Sequence, residues 1–157
     1  MSETLNWDYP DPHTLAVAVG PEHIDVMRHT NNVVYLQWLE QVAWSHSQAL
    51  GLGPAEYEAL GHGMVVRQHT LDYLTATRLG ERILLATWLV GVDRLSTHRR
   101  YQFIRLDDGQ TVFRGSTHFV CVDIAEGRLR RMPAEFFQAY SAAALPPDVV
   151  TAHTRKE

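Results

Sequence analysis

Cysteine is almost absent from this sequence, which has Cys121 as its single cysteine among 157 residues. One thiol cannot form a disulfide within the chain, so the disulfide-stapled class of secreted domains is excluded and a reducing, cytoplasmic location is expected. Cys121 lies in the apolar run Phe119-Val-Cys-Val122, which is typical of a buried strand rather than of a reactive thiol. We therefore expect a structural role for this residue.

The sequence also lacks a long apolar run and an excess of basic residues. No apolar stretch is long enough to span a bilayer, and residues 1–8 contain neither the basic patch nor the apolar segment of a secretion signal. The chain carries 14 Lys and Arg against 18 Asp and Glu, a formal charge of −4, so no basic footprint for nucleic acid stands out. Neither a membrane nor a nucleic acid is an expected partner.

Length and composition predict one domain. The 157 residues are 45% hydrophobic, which is enough to bury a core, and the chain contains no internal repeat. The polar stretch that follows Pro146-Pro147 is predicted to fray. We predict a single domain over residues 1–157, with a frayed tail from about residue 146.

Hydrophobic periodicity predicts the secondary structure. His13–Val19 alternates as a strand does, whereas Asn32–Leu50 contains no Gly or Pro and is apolar over more than half of its circumference, which predicts a long, well-covered helix. Short helices are predicted over Pro54–Leu60 and from Pro133 to about Ala143. Four further strands are predicted, over Met64–Tyr73, Arg82–Val92, Ser96–Leu106 and Thr111–Val122.

This order of elements predicts an α+β fold. A five-stranded, mainly antiparallel sheet must wrap the long central helix in order to cover it. Such a sheet still leaves an edge strand and a face to protect, and association of identical subunits buries them. We therefore expect a homodimer or a dimer of dimers.

Chemistry concentrates at the start of the long helix, in the run Asp25-Val-Met-Arg-His29-Thr-Asn31-Asn32-Val-Val-Tyr35. This run combines a carboxylate, an imidazole and two amides with a helix N-terminus. Backbone N–H groups at a helix start can hold a developing negative oxygen, and the carboxylate is a candidate base beside them. We take this loop as the candidate active site.

Three segments resemble the acyl-CoA thioesterases of the 4-hydroxybenzoyl-CoA thioesterase type, which have the hotdog fold. They are the Asp25–Tyr35 run, the stretch from Val65-Val66 to Tyr73, and Phe119-Val-Cys-Val-Asp123 with the following Gly127-Arg128 and Met132-Pro133. The resemblance spans nearly the whole chain and implies a hotdog fold, hydrolysis of an acyl-CoA to a free acid and coenzyme A, and no separate cofactor. Relatives often carry glycine where this chain has Arg28, which predicts a difference in the loop backbone or in the charge beside Asp25.

The resemblance implies roles for Asp25 and Asn32. Asp25 matches the family's catalytic aspartate, which acts either as a nucleophile or as a general base on water. Asn32 matches the position whose backbone N–H points at the thioester oxygen, where the helix dipole adds positive potential. Because a thiolate leaves readily, one carboxylate and one helix terminus can suffice for hydrolysis.

Four other residues are candidates for supporting roles. His29, Asn31 and Tyr35 can orient water or Asp25, although a helix cap for Asn31 and packing for Tyr35 are equally good interpretations. Glu40 is the second candidate carboxylate, because another hotdog branch uses a glutamate on this helix. Its alternative role is a buried partner for an arginine at a subunit interface.

Trp38, Trp44 and Trp88 are candidates for the acyl pocket, because aromatic faces can enclose a quaternary ammonium by cation–π attraction. Packing in the core or at an interface is their default role. The Trp-rich helix segment Tyr35–Trp44 resembles the thioesterases of bacterial carnitine breakdown, which implies betainyl-CoA as the substrate. Another short or medium-chain acyl-CoA is the alternative.

Coenzyme A carries phosphates, so arginines at strand edges or in loops are candidates to bind it, although a solvent-facing charge is the better interpretation of any single one. The candidates are Arg99, Arg100, Arg128, Arg130 and Arg131. The histidine pairs His23 with His29 and His62 with His69 lack a third ligand at a recognisable spacing, so no metal is predicted.

Two other function classes stay open. A hotdog hydratase would use a carboxylate and a histidine, such as Asp25 and His29, to add water across a double bond, but the motif of that branch is absent. A non-catalytic acyl-CoA sensor would keep the groove without needing Asp25, and such a sensor usually brings a regulatory domain, for which the sequence gives no sign.

Overall fold

The computed structural model describes residues 4–154, which form five β-strands and four α-helices. In chain order these are β1 (His13–Ala18), α1 (Asn32–Ala49), α2 (Pro54–Leu60), β2 (His62–Tyr73), β3 (Arg82–Val92), β4 (Ser96–Arg105), β5 (Thr111–Asp123), α3 (Ala134–Ala143) and α4 (Pro147–His153). The predicted bounds of every element up to α3 lie within two residues of the observed ones. The predicted α+β class is confirmed.

The five strands form one antiparallel sheet in the order β1-β3-β4-β5-β2. The sheet curves around α1, which packs on β1 and β3. Leu39 and Val42 of α1 are fully buried against the sheet in a cluster that includes Phe103 and Phe113. This helix-in-sheet arrangement is the predicted hotdog architecture.

Local sequence explains where α1 starts and stops. The side chain of Asn31 accepts a hydrogen bond from the Val33 backbone N–H at 3.1 Å, which caps the helix. At the other end, Gly51 has a φ of +87°, the left-handed conformation that commonly follows a helix and that glycine adopts without strain. The helix therefore begins directly after the candidate active-site loop.

The segment after residue 146, for which the sequence predicts fraying, forms helix α4 as far as His153. Pro147 begins the helix, and Val150 packs on the cluster of Tyr9 and Trp88. Val149 and Val150 are both partly buried, and this burial stabilises a segment that its polar composition predicts to fray. Residues 155–157 of the predicted tail lie outside the described residues.

The structure confirms the prediction that Cys121 lies in a buried strand. Cys121 is fully buried in β5, and burial raises the pKa of its thiol to about 11, so the reactive thiolate is scarce near neutral pH. None of the helices formed by residues 4–154 is long and apolar enough to cross a membrane.

Candidate active site

A tight loop places Asp25 just before α1. Ile24 and Thr30 form an isolated antiparallel bridge, and the Asp25 backbone N–H donates to the His29 carbonyl oxygen at 3.1 Å. The Asn31 N–H donates to the His23 carbonyl at 2.8 Å, which joins the loop to the first turn of the helix. The loop backbone is thus fixed by its own hydrogen bonds.

The Asp25 side chain is only partly tied into this loop. Its Oδ1 accepts a hydrogen bond from the Met27 backbone N–H at 2.9 Å, whereas Oδ2 takes part in no hydrogen bond among residues 4–154. Asp25 is half-buried, and the tip of the loop beside it is apolar and exposed, at 95% for Val26 and 69% for Met27. One carboxylate oxygen is therefore free to act on a water molecule or a substrate.

Arg28 occupies a backbone conformation that suits glycine. Its φ is +60°, in the left-handed region, so the loop keeps the backbone that a glycine would adopt even though the residue is arginine. Arg28 therefore carries local backbone strain that a glycine would not, and it adds a positive charge to the loop that contains Asp25.

Replacing Arg28 by glycine is expected to stabilise the protein by up to about 1 kcal/mol, because left-handed backbone costs a non-glycine residue about 1–2 kcal/mol and the greater freedom of glycine in the unfolded chain offsets part of the gain. Urea unfolding at one pH measures the change. Arg28→Ala is the control, since it removes the same side chain but keeps the Cβ. Equal stability of the two variants would contradict backbone strain.

Thr77 anchors the loop and the start of α1 from the segment between β2 and β3. The Thr77 carbonyl accepts the Thr30 N–H at 2.9 Å, and its hydroxyl bonds to the Thr30 hydroxyl at 2.6 Å and to the Tyr35 hydroxyl at 2.8 Å. Thr77 is fully buried, so these bonds are shielded from water. The sequence reasoning missed Thr77 because it lies 47 residues from Thr30 and belongs to no recognisable motif.

The first turn of α1 offers a free backbone donor. Asn32 is the first helical residue, and its backbone N–H takes part in no hydrogen bond among residues 4–154. The Asn32 carbonyl accepts a hydrogen bond from the Tyr73 hydroxyl at 3.1 Å, which holds this turn against β2. A free N–H at the positive end of a helix dipole is suited to bind an oxyanion. The Asn31 side chain, by contrast, is used as the helix cap.

His29 and Tyr35 differ in their surroundings. Tyr35 is 3% exposed, its ring packs on Phe113 and Tyr73, and burial raises the pKa of its hydroxyl. Its hydrogen bond to Thr77 makes it a core residue that positions the loop. His29 is half-buried in the loop, where its backbone carbonyl holds Asp25.

A cavity of about 130 Å³ lies beside the second half of α1. Its wall is largely apolar and aromatic. The rings of Trp44 and Tyr57 pack at a tilt, with their centroids 5.1 Å apart. The cavity is lined by Leu39, Glu40, Ala43, Trp44, Ser47, Tyr57, Met64, Val66, His69, Thr97, Arg99, Phe119 and Tyr140. Sequence reasoning singled out Glu40, Trp44 and Arg99 among these residues but missed Tyr57 and Tyr140, which only the packing of α2 and α3 brings here.

Glu40 lies in the wall of this cavity on an exposed part of the helix. It forms no ion pair within residues 4–154, so the predicted arginine partner is not found in the described part of this chain. Burial lowers the pKa of His69, and the negative charge of Glu40 raises it by a smaller amount, so the pKa is lowered overall. A second carboxylate therefore lies near the cavity, eight residues along the helix from Asn32, or about 12 Å.

The three candidate tryptophans lie in three separate environments. Trp38 is 2% exposed in the main core, and Trp88 is 2% exposed in a different cluster with Tyr9. Only Trp44, at 38% exposure, lines the cavity. The structure does not bring these residues together as an aromatic cage.

The candidate arginines are also separated. Arg99 is 4% exposed, is bonded to His46 of α1 and lines the cavity, so its guanidinium does not lie at a solvent-facing strand edge. Arg100, the next residue of β4, is exposed, and Arg128 is exposed and pairs with Glu126 at 3.1 Å. Arg130 pairs with Asp123 at 3.3 Å, and Arg131 is exposed. The exposed arginines remain candidates for phosphate contacts.

His46 is kept neutral by its surroundings. Its Nδ1 accepts a hydrogen bond from Arg99 Nη1 at 2.8 Å, and its ring stacks on His13 at a centroid distance of 4.8 Å. Burial, followed by the charges of Arg99 and His13, lowers the pKa of His46 to about 3. The folded protein therefore resists protonation of this imidazole.

This lowered pKa predicts acid sensitivity. The unfolded chain binds a proton at His46 below its ordinary pKa of 6.5 and the folded chain only near 3, so stability is lost as pH falls through this window. His46→Asn keeps an acceptor for Arg99 without the titration, and its Tm is expected to fall less between about pH 7 and pH 5 than that of the wild type. His153→Asn on exposed α4 is the control. An unchanged pH dependence in His46→Asn would contradict the assignment.

The histidine pairs considered for metal have other contacts. His23 Nδ1 accepts the Gly20 N–H at 2.9 Å, His62 Nδ1 bonds to the Leu60 carbonyl, and His69 Nδ1 bonds to the Thr117 hydroxyl. Across residues 4–154, no three His, Cys, Asp or Glu side chains are grouped so as to hold a metal ion.

Comparison with known proteins gives a family and a fold. A family model described as the thioesterase-like superfamily matches residues 19–151. A Synechocystis sp. protein named provisionally as an esterase is 27% identical over 120 residues, covering 76% of this chain and 72% of its own.

Solved structures with the same fold include two that bear on coenzyme A. A 1,4-dihydroxy-2-naphthoyl-CoA thioesterase from Synechocystis has a TM-score of 0.77 at 17% identity, covering 87% of this chain and 100% of its own. A Staphylococcus aureus protein in complex with CoA has a TM-score of 0.79 at 18% identity, covering 90% of each chain. At these identities the likeness shows the fold alone.

Proposed function

The chain belongs to the thioesterase-like superfamily and is a thioester hydrolase, and on this premise we propose that it hydrolyses an acyl-CoA, with Asp25 as the catalytic carboxylate. The observation that carries the proposal is the loop before α1. There, Asp25 has a free carboxylate oxygen, and the helix that follows opens with the free backbone N–H of Asn32 among the described residues.

Hydrolysis of a thioester needs an attacking oxygen and a donor for the oxyanion. In one variant Asp25 takes a proton from water, the hydroxyl oxygen bonds to the carbonyl carbon, and the C–S bond breaks to release the coenzyme A thiolate. In the other, an Asp25 oxygen bonds to the carbonyl carbon, the C–S bond breaks to release the coenzyme A thiolate, and water then hydrolyses the resulting anhydride to the free acid and the Asp25 carboxylate. Either way, the Asn32 N–H and the helix dipole stabilise the negative charge on the carbonyl oxygen.

The position of the cavity points to a site shared between two subunits. His46, which contacts Arg99 at the cavity, lies 14 residues beyond Asn32, or about 21 Å along the helix. A short acyl group bound at Asn32 therefore does not reach the depth of the cavity in its own chain. Antiparallel pairing of two α1 helices removes this separation.

Two features favour such pairing. The edge strand β2 is 12 residues long and exposes Val65 and Val66 at 44% and 43%, whereas a long apolar edge is normally covered in a folded protein. Beside it, α1 carries a stripe of exposed residues made up of Val33, Gln37, Glu40 and Trp44. A two-fold axis through the middle of this stripe sets Val33 of one protomer opposite Trp44 of its partner.

In such a pair, which can be a homodimer or one half of a dimer of dimers, Asn32 of the partner subunit lies at the level of Ser45, next to the cavity. Asp25 and the oxyanion donor then come from one protomer and the acyl pocket from the other. The exposed Arg100 and Arg128 remain candidates for coenzyme A phosphates. No separate cofactor takes part in this mechanism, and a cytoplasmic location, where coenzyme A esters are available, agrees with the single cysteine.

Cavity size limits the acyl group. A volume of about 130 Å³ is comparable to that of a cavity that holds one benzene ring, which favours a short or aromatic acyl group over a long fatty chain. Betainyl-CoA is implied by the resemblance of the Tyr35–Trp44 segment and by an aromatic cage of Trp38, Trp44 and Trp88, and the separation of these three residues removes the support from the cage. Of the three, Trp44 alone offers an aromatic face to the pocket.

The experiment is free-thiol release from a panel of acyl-CoAs with betainyl, short, medium-chain and aromatic acyl groups, with Asp25→Asn beside the wild type. Release that depends on Asp25 supports the proposal, and the best substrate defines the pocket. Absence of release from every member, with binding of the same esters retained, would replace the proposal by an acyl-CoA binding module. Hydration of an enoyl-CoA would replace it by a hydratase.

A further inference from the structure

Arg99 is a buried cation for which the proposed mechanism has no use. It lies on β4 with its side chain toward α1, is 4% exposed and lines the cavity. No carboxylate forms an ion pair with it within residues 4–154. A buried charge is costly unless it is paired, so an uncompensated guanidinium beside a cavity suggests an anionic ligand.

The hydrogen bonds of Arg99 leave several donors free. Nη1 donates to His46 Nδ1 at 2.8 Å and contacts the Thr87 hydroxyl at 3.4 Å. A guanidinium has five N–H donors, and those on Nε and Nη2 take part in no hydrogen bond within residues 4–154. Both partners of Nη1 are neutral, because the pKa of His46 is lowered to about 3. The positive charge is therefore held in place but not neutralised.

Nearby polar groups do not supply the missing partner. The hydroxyls of Tyr57 and Tyr140 bond to each other at 2.5 Å, and Tyr140 bonds to Ser47 at 2.8 Å. Glu40 lines the same cavity but is exposed and forms no ion pair with Arg99. The polar inner wall of the cavity thus presents an unpaired cation, while the rest of the wall is apolar and aromatic.

We propose that Arg99 binds a carboxylate at the far end of the acyl group, so that the substrates are coenzyme A half-thioesters of short dicarboxylic acids. This inference rests on the proposed thioesterase function. A carboxylate accepts two parallel hydrogen bonds from a guanidinium, which matches the free Nε and Nη2 donors. An apolar and aromatic wall suits the methylene groups or ring between the two ends of such an acid.

Distance and charge both agree with this substrate class. In the paired arrangement, Asn32 of the partner subunit lies at the level of Ser45, one residue from the His46 that contacts Arg99. Helices that pack side by side are about 8–10 Å apart, which a short acyl chain spans. The buried cation also opposes a quaternary ammonium, so betainyl-CoA is expected to be a poor substrate.

The test compares adipoyl-CoA with hexanoyl-CoA, which have equal chain lengths and differ only in the terminal carboxylate. Wild-type kcat/KM is expected to favour adipoyl-CoA by about 10- to 100-fold, the usual effect of a charge-assisted hydrogen bond. Arg99→Met is expected to abolish this preference by lowering kcat/KM for adipoyl-CoA, and Arg99→Lys to keep part of it. Arg82→Met, which removes an exposed arginine at the start of β3, is the control and should leave the ratio unchanged.

Outcomes separate this inference from the proposed function. Hydrolysis of both esters at similar kcat/KM, or an unchanged preference in Arg99→Met, would overturn the role of Arg99 and leave the thioesterase intact. Absence of hydrolysis would overturn the thioesterase, and binding of the intact esters still tests Arg99: adipoyl-CoA should bind more tightly than hexanoyl-CoA, measured by quenching of the Trp44 fluorescence as the difference from Trp44→Phe. If Arg99→Met fails to fold, the wild-type comparison decides, and equal kcat/KM or equal binding of the two esters would overturn the inference.

Discussion

Asp25→Asn is expected to lower kcat for the best acyl-CoA by about 10²–10⁴-fold, the range that a positioned acid or base contributes, and more if Asp25 is the nucleophile. An amide can neither take a proton from water at neutral pH nor form the anhydride. Both chemical variants therefore fail. The measurement is single-turnover thiol release, which separates the chemical step from product release.

The same substitution is expected to change stability little. Asp25 is half-buried, and its one hydrogen bond, from the Met27 N–H at 2.9 Å, is also available to the amide oxygen of asparagine. The free energy of unfolding should therefore change by less than about 1 kcal/mol. Asp107→Asn is the control, because Asp107 lies at the surface in a distant turn, where it is 3.9 Å from Arg82.

Two results would contradict the assignment of Asp25. A large fall in Tm would show that the carboxylate holds the loop together. Full activity in Asp25→Asn would direct attention to Glu40, the second carboxylate, in which case Glu40→Gln should be the inactive variant. In the proposed shared site the two candidates belong to different protomers, so variants at these positions also give the second large effect.

Mixing two inactive variants is expected to restore about a quarter of the wild-type activity. Asp25→Asn removes the carboxylate from one side of the shared site, and Glu40→Arg places a long cationic side chain in the pocket on the other side. Each homodimer should be inactive. Random reassembly after unfolding makes half of the dimers mixed, and each mixed dimer has one intact site.

Thiol release after co-refolding at equal concentrations measures the recovery. Each variant refolded alone is the control, together with a mixture that has not been refolded. Recovery shows that the Asp25 loop of one protomer serves the cavity of the other. Activity no greater than the sum of the two controls would place the whole site in one chain and would contradict pairing through β2 and α1.

Local sequence predicted the elements well because their forces are local. The apolar positions of Asn32–Ala49, the cap at Asn31 and the glycine at residue 51 all act within a few residues of each other. The Asp25 loop could be recognised for the same reason, since its acid, cap and helix start are consecutive in the chain. Helix α4 was not predicted because it packs on residues distant in sequence, with Val150 on the cluster of Tyr9 and Trp88 and the ring of His153 near that of Tyr9.

The three tryptophans show what hydrophobic periodicity does not predict. Periodicity correctly assigns Trp38 to a buried face and Trp88 to a strand, but it does not say which surface covers each face. Trp88 packs on Tyr9, in a cluster separate from the one that contains Trp38. Of the three tryptophans, only Trp44 lines the cavity, where it packs on Tyr57 of α2.

Arg99 shows the largest change between sequence and structure. In the sequence it is one of two adjacent arginines on a strand, each a candidate for a solvent phosphate. Successive side chains of β4 point to opposite faces of the sheet, so Arg100 faces outward. Arg99 lies under α1, where it donates a hydrogen bond to His46. Burying a guanidinium costs desolvation free energy. Its presence at the cavity therefore indicates an anionic ligand, which the composition of the sequence does not.

By itself, the sequence determined the order of helices and strands, the α+β class and the loop in which Asp25 precedes a helix N-terminus. These follow from periodicity, capping and turn residues, which are properties of neighbours in the chain. The tertiary structure decided that Thr77 anchors the loop, that Arg28 is left-handed, and that Arg99 is buried without a carboxylate among the described residues. These features depend on backbone geometry and on contacts between residues distant in sequence. Such contacts are stronger in the buried interior, where the dielectric constant is low.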